Sequence, residues 1–113
     1  LQQRNRWLEF FESFDVVLLP VTLTEAIRHD HSSPFTGRTI QVDDQQRPYT
    51  DQLKWMGLTG VSWLPATVVP IGQIDSKPVG VQIAGPFLED RTTLAAGRFL
   101  QQALGGFQRP EGF

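Results

Sequence analysis

The chain has 113 residues, a formal net charge of −2, 40% hydrophobic residues and no cysteine. That length fits one domain or a piece of one, and the singly scattered basic residues argue against a phosphate-tracking nucleic-acid surface. Without Cys, disulfides and thiolate metal sites are excluded and a cytoplasmic location fits; no apolar run approaches the roughly 20 residues of a membrane helix, and no signal-peptide pattern opens the chain.

The chain begins at Leu1 rather than at a methionine, as a trimmed product or a fragment would. Trp7, Phe10, Phe11 and Phe14 recur at i, i+3, i+4 and i+7, predicting an amphipathic helix over about 1–14 with Arg4, Arg6, Glu9, Glu12 and Ser13 on its polar side. Four large side chains on so short a helix call for a substantial partner surface. The run that follows, Val16-Val17-Leu18-Leu19 before Pro20, is short and continuously apolar, which suits a buried strand over about 16–19. Residues 21–48 combine Ser32, Ser33, Pro34, Gly37, Asp43, Asp44 and Pro48 and are expected to be irregular. A short helix is expected over 49–57, capped by Thr50 or Asp51, with Leu53 and Met56 on one face.

The chain is most sharply punctuated between Leu64 and Pro86. Thr67, Val68 and Val69 are β-branched and favour an extended backbone, giving a strand over about 66–70 that Pro70 ends. A turn is expected from Gly72 to Pro78, then a strand over 79–84. Val79, Val81 and Ile83 give that strand a broad apolar face; Gly80, Gln82 and Ala84 give it a thin one, suited to close approach by a helix or backbone. The last helix is expected over about 90–104, with Asp90 as N-cap and Gly105-Gly106 as its stop. Its small residues Ala95, Ala96 and Ala103 would face the thin side of the 79–84 strand. The tail 107–113 is expected to be irregular.

The segment 59–90 resembles the C-terminal part of the amidase signature family, serine hydrolases of carboxamide C–N bonds. Thr59, Gly60, Leu64, Pro65, Ala66, Pro70 and Gly72 are similar to its T-G-x-P-A-x-x-x-P-x-G run. Pro78, Val79, Gly80, Val81, Gln82, Gly85 and Pro86 are similar to its P-V-G-V-Q-x-x-G-P strand, and Asp90 to its helix-opening acidic residue. Val61, Ser62 and Trp63 lengthen the interval between Thr59-Gly60 and Pro65-Ala66. Upstream, Phe14 to Thr22 resembles the family's F-D-V-L-L-x-P-T strand, with the threonine one place late. The resemblance implies an α/β fold: a C-terminal fragment of the family's mixed β-sheet with flanking helices.

It also implies a Ser–cis-Ser–Lys catalytic triad whose nucleophile sits on a Gly-rich serine loop well upstream, and nothing here matches that loop. Ser32-Ser33 lacks flanking glycines; Lys54 and Lys77 read as solvated, and Ser62 as a serine satisfied by backbone. No catalytic residue is therefore assigned, and the piece is expected to be inactive alone. His29-Asp30-His31 reads as an exposed loop rather than a metal set, and Asp43-Asp44 and Glu89-Asp90 as turn or cap residues. No metal or cofactor is expected. By resemblance, Trp55, Thr59, Gly60, Val61, Ser62 and Trp63 are candidates for the wall of the acyl pocket, while ordinary core packing is the favoured reading of both tryptophans. The expected partners are the remainder of the amidase domain or another copy of the chain, with a small carboxamide as substrate of the complete enzyme. The alternative is a stand-alone α/β module that binds or self-associates through a free strand edge.

Overall fold

The computed structural model describes residues 2–109. Its elements in chain order are α1 (Gln2–Phe11), β1 (Val17–Pro20), β2 (Thr39–Val42), β3 (Gln45–Pro48), α2 (Lys54–Gly60), β4 (Ala66–Ile74), β5 (Lys77–Ala84) and α3 (Asp90–Leu104). Short 3-10 turns at Phe35–Gly37 and Tyr49–Leu53 join them. Both sheets are antiparallel: β1-β5-β4 is three-stranded, and β2-β3 forms a separate hairpin.

β4 and β5 fold back through Asp75 and Ser76, both at positive φ, as a tight two-residue hairpin turn requires. The expected turn over 72–78 is therefore much shorter, and β4 continues through Pro70 to Ile74. Proline is tolerated there because β4 lies at the edge of the sheet, and a register irregularity falls between Pro70 and Gly72.

Residues directly opposite in an antiparallel ladder share a face. Leu18, Ile83 and Thr67 form one such row, with Val69 and Val81 beside it. α3 packs on this broad face and not on the thin one, correcting the expected placement. Its point of closest approach is Gly97, where an added Cβ would lie 3.2 Å from Val69 Cγ1 and 3.3 Å from Thr67 Cγ2. The branched side chains of the sheet fill a notch in the helix; Ala95 and Ala103 stand exposed instead. Beside the notch the Thr67 and Thr93 hydroxyls are 2.9 Å apart, and Thr93 Oγ1 also donates to the Asp90 carbonyl. The thin face lies against the chain leaving β1: a Cβ on Gly80 would meet Val68 Cγ1 at 3.1 Å and Val21 Cγ2 at 3.7 Å.

The N-cap of α3 is Glu89 rather than Asp90, and its side chain makes no capping bond. Glu89 Oε2 accepts from Thr92 Oγ1 instead. At the other end Gly105, at φ 88°, donates its N–H to the Gln101 carbonyl and stops the helix in the left-handed conformation that glycine adopts without strain.

The stretch expected to be irregular contains β2 and β3, paired Thr39↔Pro48 to Val42↔Gln45 around Asp43-Asp44, with Ile40 buried. The segment 21–26 is braced from two sides. Gln52 accepts from the Leu23 N–H and donates to Thr24 Oγ1, and Lys77 Nζ binds Glu25 Oε1 at 3.0 Å. Lys77 therefore opens a strand and holds an ion pair, rather than standing free in a turn.

α1 ends at Phe11, short of the expected 14, and none of its described residues is buried. Its aromatic rings contact one another: Trp7–Phe10 at 5.6 Å, Trp7–Phe11 at 5.7 Å and Phe10–Phe14 at 4.7 Å between centroids. Arg4 lies over the Phe87 ring at 4.3 Å. The expected core-facing helix is thus a self-contacting aromatic cluster with its outer side open. Residues 107–109 carry no regular structure; Leu1 and the last part of the expected tail, 110–113, lie outside the described residues. No helix among the described residues is long and apolar enough to cross a membrane.

Candidate functional site

The six pocket-wall candidates sit on α2 and the turn that follows it. The 3-10 turn Tyr49–Leu53 runs into α2 without a side-chain cap. Thr50 and Asp51 do not serve as the expected cap; Asp51 accepts from Arg47 Nε at 2.9 Å and Lys54 Nζ at 3.0 Å. Those hydrogen bonds, Lys54 first and Arg47 second, hold the Asp51 carboxyl below the usual carboxylate value. Lys54 is accordingly ion-paired as well as solvated.

α2 passes through Gly57 and ends at Gly60, so Thr59 and Gly60 occupy its last turn. Thr59 is buried, its Oγ1 donates to the Met56 carbonyl, and its own carbonyl accepts from the N–H groups of Ser62 and Leu64. One threonine thereby closes the helix and sets the path into Pro65 and Ala66. The turn forces Trp63 to a φ of 58°, and its indole is 77% exposed. Val61 also faces solvent, and Trp55 is half-buried. Ser62 is only 2% exposed, and its Oγ has no hydrogen-bond partner among the described residues. This overturns the expectation that backbone satisfies it. Gln82 Nε2, in the central strand, is likewise buried without a partner.

Val61 and Ser62 line an open trough of about 530 Å³ between α1 and α2, together with Trp7, Phe10, Leu58 and the cationic side chains of Arg6 and Lys54. Trp55, Thr59, Gly60 and Trp63 do not line it. The sequence pattern pointed to the α2 turn but not to α1 as the facing wall; the only available signal was the surplus of aromatic residues on α1. A second hollow of about 400 Å³ lies between segment 20–26 and the β4–β5 hairpin, beside the Lys77–Glu25 pair.

The other candidates fall apart in space. Ser32 and Ser33 are exposed in a loop, where the Ser32 N–H donates to Asp30 Oδ1. The His29 and His31 rings meet edge to face at 5.9 Å. Among the described residues no three His, Cys, Asp or Glu side chains group as a metal set.

Comparison with known proteins places this geometry. The family model described as Amidase matches residues 1–94. The chain is 34% identical over 100 residues to an indoleacetamide hydrolase of Bradyrhizobium japonicum, covering 86% of this chain and 20% of that protein. It is 29% identical over 108 residues to one of the glutamyl-tRNA(Gln) amidotransferase subunits of an Exiguobacterium species, covering 96% and 20%. A fatty-acid amide hydrolase 2-A of Danio rerio is 25% identical over 132 residues, covering 93% and 25%. The fold matches a crystal structure of an amidase with a TM-score of 0.73 at 23% identity, over 90% of this chain and 22% of that one. The chain thus spans about a fifth to a quarter of the length of these curated relatives. With its small antiparallel sheet and flanking helices, and with a family match reaching from residue 1 to residue 94, this chain belongs to the amidase family.

Proposed function

We propose that the chain is the C-terminal portion of an amidase that hydrolyses a carboxamide to acid and amine. In that role it supplies strands, packing helices and, through Trp55 and Thr59–Trp63, part of the acyl-pocket wall. The remainder of the domain supplies the reacting groups. The observation that carries this reading is that both lysines face carboxylates, Lys54 on Asp51 and Lys77 on Glu25. The one buried serine hydroxyl, on Ser62, has no base in hydrogen-bond reach. A serine nucleophile needs such a base, which supports placing the reacting groups in the remainder of the domain. The order of the Pro65–Gly72 and Pro78–Pro86 motifs supports the C-terminal placement. The names of two relatives, an indoleacetamide hydrolase and a fatty-acid amide hydrolase, favour a large apolar acyl group.

The isolated chain is expected to release no ammonia from indole-3-acetamide or decanamide. Added to an indoleacetamide hydrolase that lacks the matching segment, it should restore ammonia release. Turnover by the isolated chain that survives joint replacement of Ser32, Ser33 and Ser62 by alanine would overturn the reading.

The open strand edges favour a second reading, self-association. β1 and β4 each pair on one side only, and Leu18 and Val68 are exposed on opposite faces of the sheet. Unpaired edges invite a further strand from another chain. A sedimentation experiment showing monomer alone at high concentration would exclude this.

A further inference from the structure

We propose that residues 26–51 open and close as one unit, released from the rest of the chain at the side chain of Gln52 while the three-stranded sheet stays whole. The proposal concerns how this chain is fastened together and rests on neither the amidase reading nor the pocket wall.

The excursion between β1 and α2 is fastened at its two stems by different means. On the first stem, Glu25 accepts from Lys77 Nζ at 3.0 Å, which ties it to the start of β5. On the second stem, Gln52 Oε1 accepts from the Leu23 N–H at 2.9 Å and Gln52 Nε2 donates to Thr24 Oγ1 at 2.9 Å. Both ends of one amide are engaged by residues 29 and 28 positions earlier in the chain. Gln52 therefore clasps the second stem to the first.

What lies beyond the clasp holds to itself. β2 and β3 form their own sheet, with no ladder to β1, β4 or β5 among the described residues. The Phe35 and Tyr49 rings meet edge to face at 5.2 Å, the Tyr49 N–H donates to the Arg38 carbonyl, and Arg38 Nε donates to the Ser32 carbonyl. Arg47 pairs with Asp51 inside the unit. Among the described residues, the ion pair that leaves it runs from Asp51 to Lys54, at the start of the next helix. Of residues 26–51 only Ile40 is buried, and 26–37 are exposed without a break. A segment with so little buried apolar surface opens at a lower free energy than the whole fold does. Its internal contacts make it open as a whole, and the two bonds of the half-buried Gln52 are the ones that opening must break.

The test is hydrogen exchange of the 113-residue chain, resolved by residue, with the central strand β5 as internal reference. The slowest amides of β2 and β3 are expected to exchange about tenfold faster, or more, than the slowest of β5. Gln52→Met keeps the bulk of the side chain and removes both hydrogen bonds. It should speed exchange in β2 and β3 by about thirtyfold and leave β5 and α3 unchanged. Ile40→Ala should act on the same amides and again spare β5. Lys77→Gln should loosen 21–25 and move β2 and β3 less than Gln52→Met does, because it undoes the other fastening. Equal exchange in β2, β3 and β5 of the unaltered chain would overturn the proposal, since the excursion would then open only with the whole fold. So would a Gln52→Met chain in which β5 loses as much protection as β2 and β3, or one in which neither changes. A Lys77→Gln chain whose β2 and β3 exchange as fast as those of Gln52→Met would merge the two fastenings into one and overturn it too.

Discussion

The two ends of the molecule are built from similar material and finished differently. α3 lays Thr93 and Gly97 on the sheet and buries both, and beneath them Val69 and Ile83 are buried in turn. α1 carries more aromatic mass and buries nothing among its described residues. The difference lies in shape, not in hydrophobicity. Gly97 leaves a notch that branched side chains fill, so dispersion contacts and apolar burial are gained together. The Trp7, Phe10, Phe11 and Phe14 rings meet mainly one another, leaving a trough where a packed contact would otherwise be. An apolar stripe on a helix predicts that it will be covered; it does not say by what.

The largest test of this contrast is Ile83→Ala. Ile83 is fully buried under Gly97, and losing its side chain should cost about 2–5 kcal/mol, seen as a lower urea midpoint. Gly85→Ala comes next. Its new Cβ would lie 2.7 Å from Thr93 Cγ2, and relieving that clash should destabilise by about 1–3 kcal/mol in the same measurement. An unchanged midpoint for either would mean that the α3 seam is looser than its geometry implies.

A smaller effect concerns the brace on segment 21–26. The hydrogen bond from Lys77 holds the Glu25 carboxyl below its ordinary value of 4.5. Because the folded value is the lower one, the pair's contribution is fully present above 4.5 and is lost as pH falls through the lowered folded value. Amide protection in 21–26 should therefore decline in acid, and Lys77→Gln should remove that decline. The smallest effect is expected at Phe14→Ala, at 57% exposure, which should change stability by no more than about 0.5 kcal/mol. A loss as large as that at Ile83 would show that the aromatic cluster is part of the core.

Punctuation explains which parts of this architecture were legible in the sequence. α3 occupies the expected 90–104 because Gly105-Gly106 stop it and its apolar stripe is long. β5 was visible through its alternation, and β1 through its apolar run, although β1 is an edge strand with Leu18 exposed and not the buried strand expected. Pro70 misled, because a proline stops a strand only where its missing N–H is needed, and whether β4 lay at an edge was not visible locally. The β2–β3 hairpin was hidden by its composition. Thr39-Ile40-Gln41-Val42 does alternate, but the turn is Asp43-Asp44, with Asp43 at φ 50°, rather than the Asn-Gly or Asp-Gly that signals a hairpin.

At the candidate site, the sequence marked Val61 and Ser62 but could not reveal that Trp63 would swing outward on a positive φ. Nor could it reveal that Ser62 would lose its partner. Both depend on how α2 ends at Thr59 and Gly60, and so on two carbonyl contacts made within one turn.

The place of β1 beside β5 sets an order of assembly. Val17–Pro20 pairs with Val81–Ala84, more than sixty residues further along the chain, whereas β4 and β5 meet across a two-residue turn. Closing so long a loop carries an entropic cost that a local hairpin avoids. During synthesis β1 therefore waits for this partner until the stretch through Ala84 has emerged. A chain cut short before Val81 would leave β1 without the strand it joins in this structure.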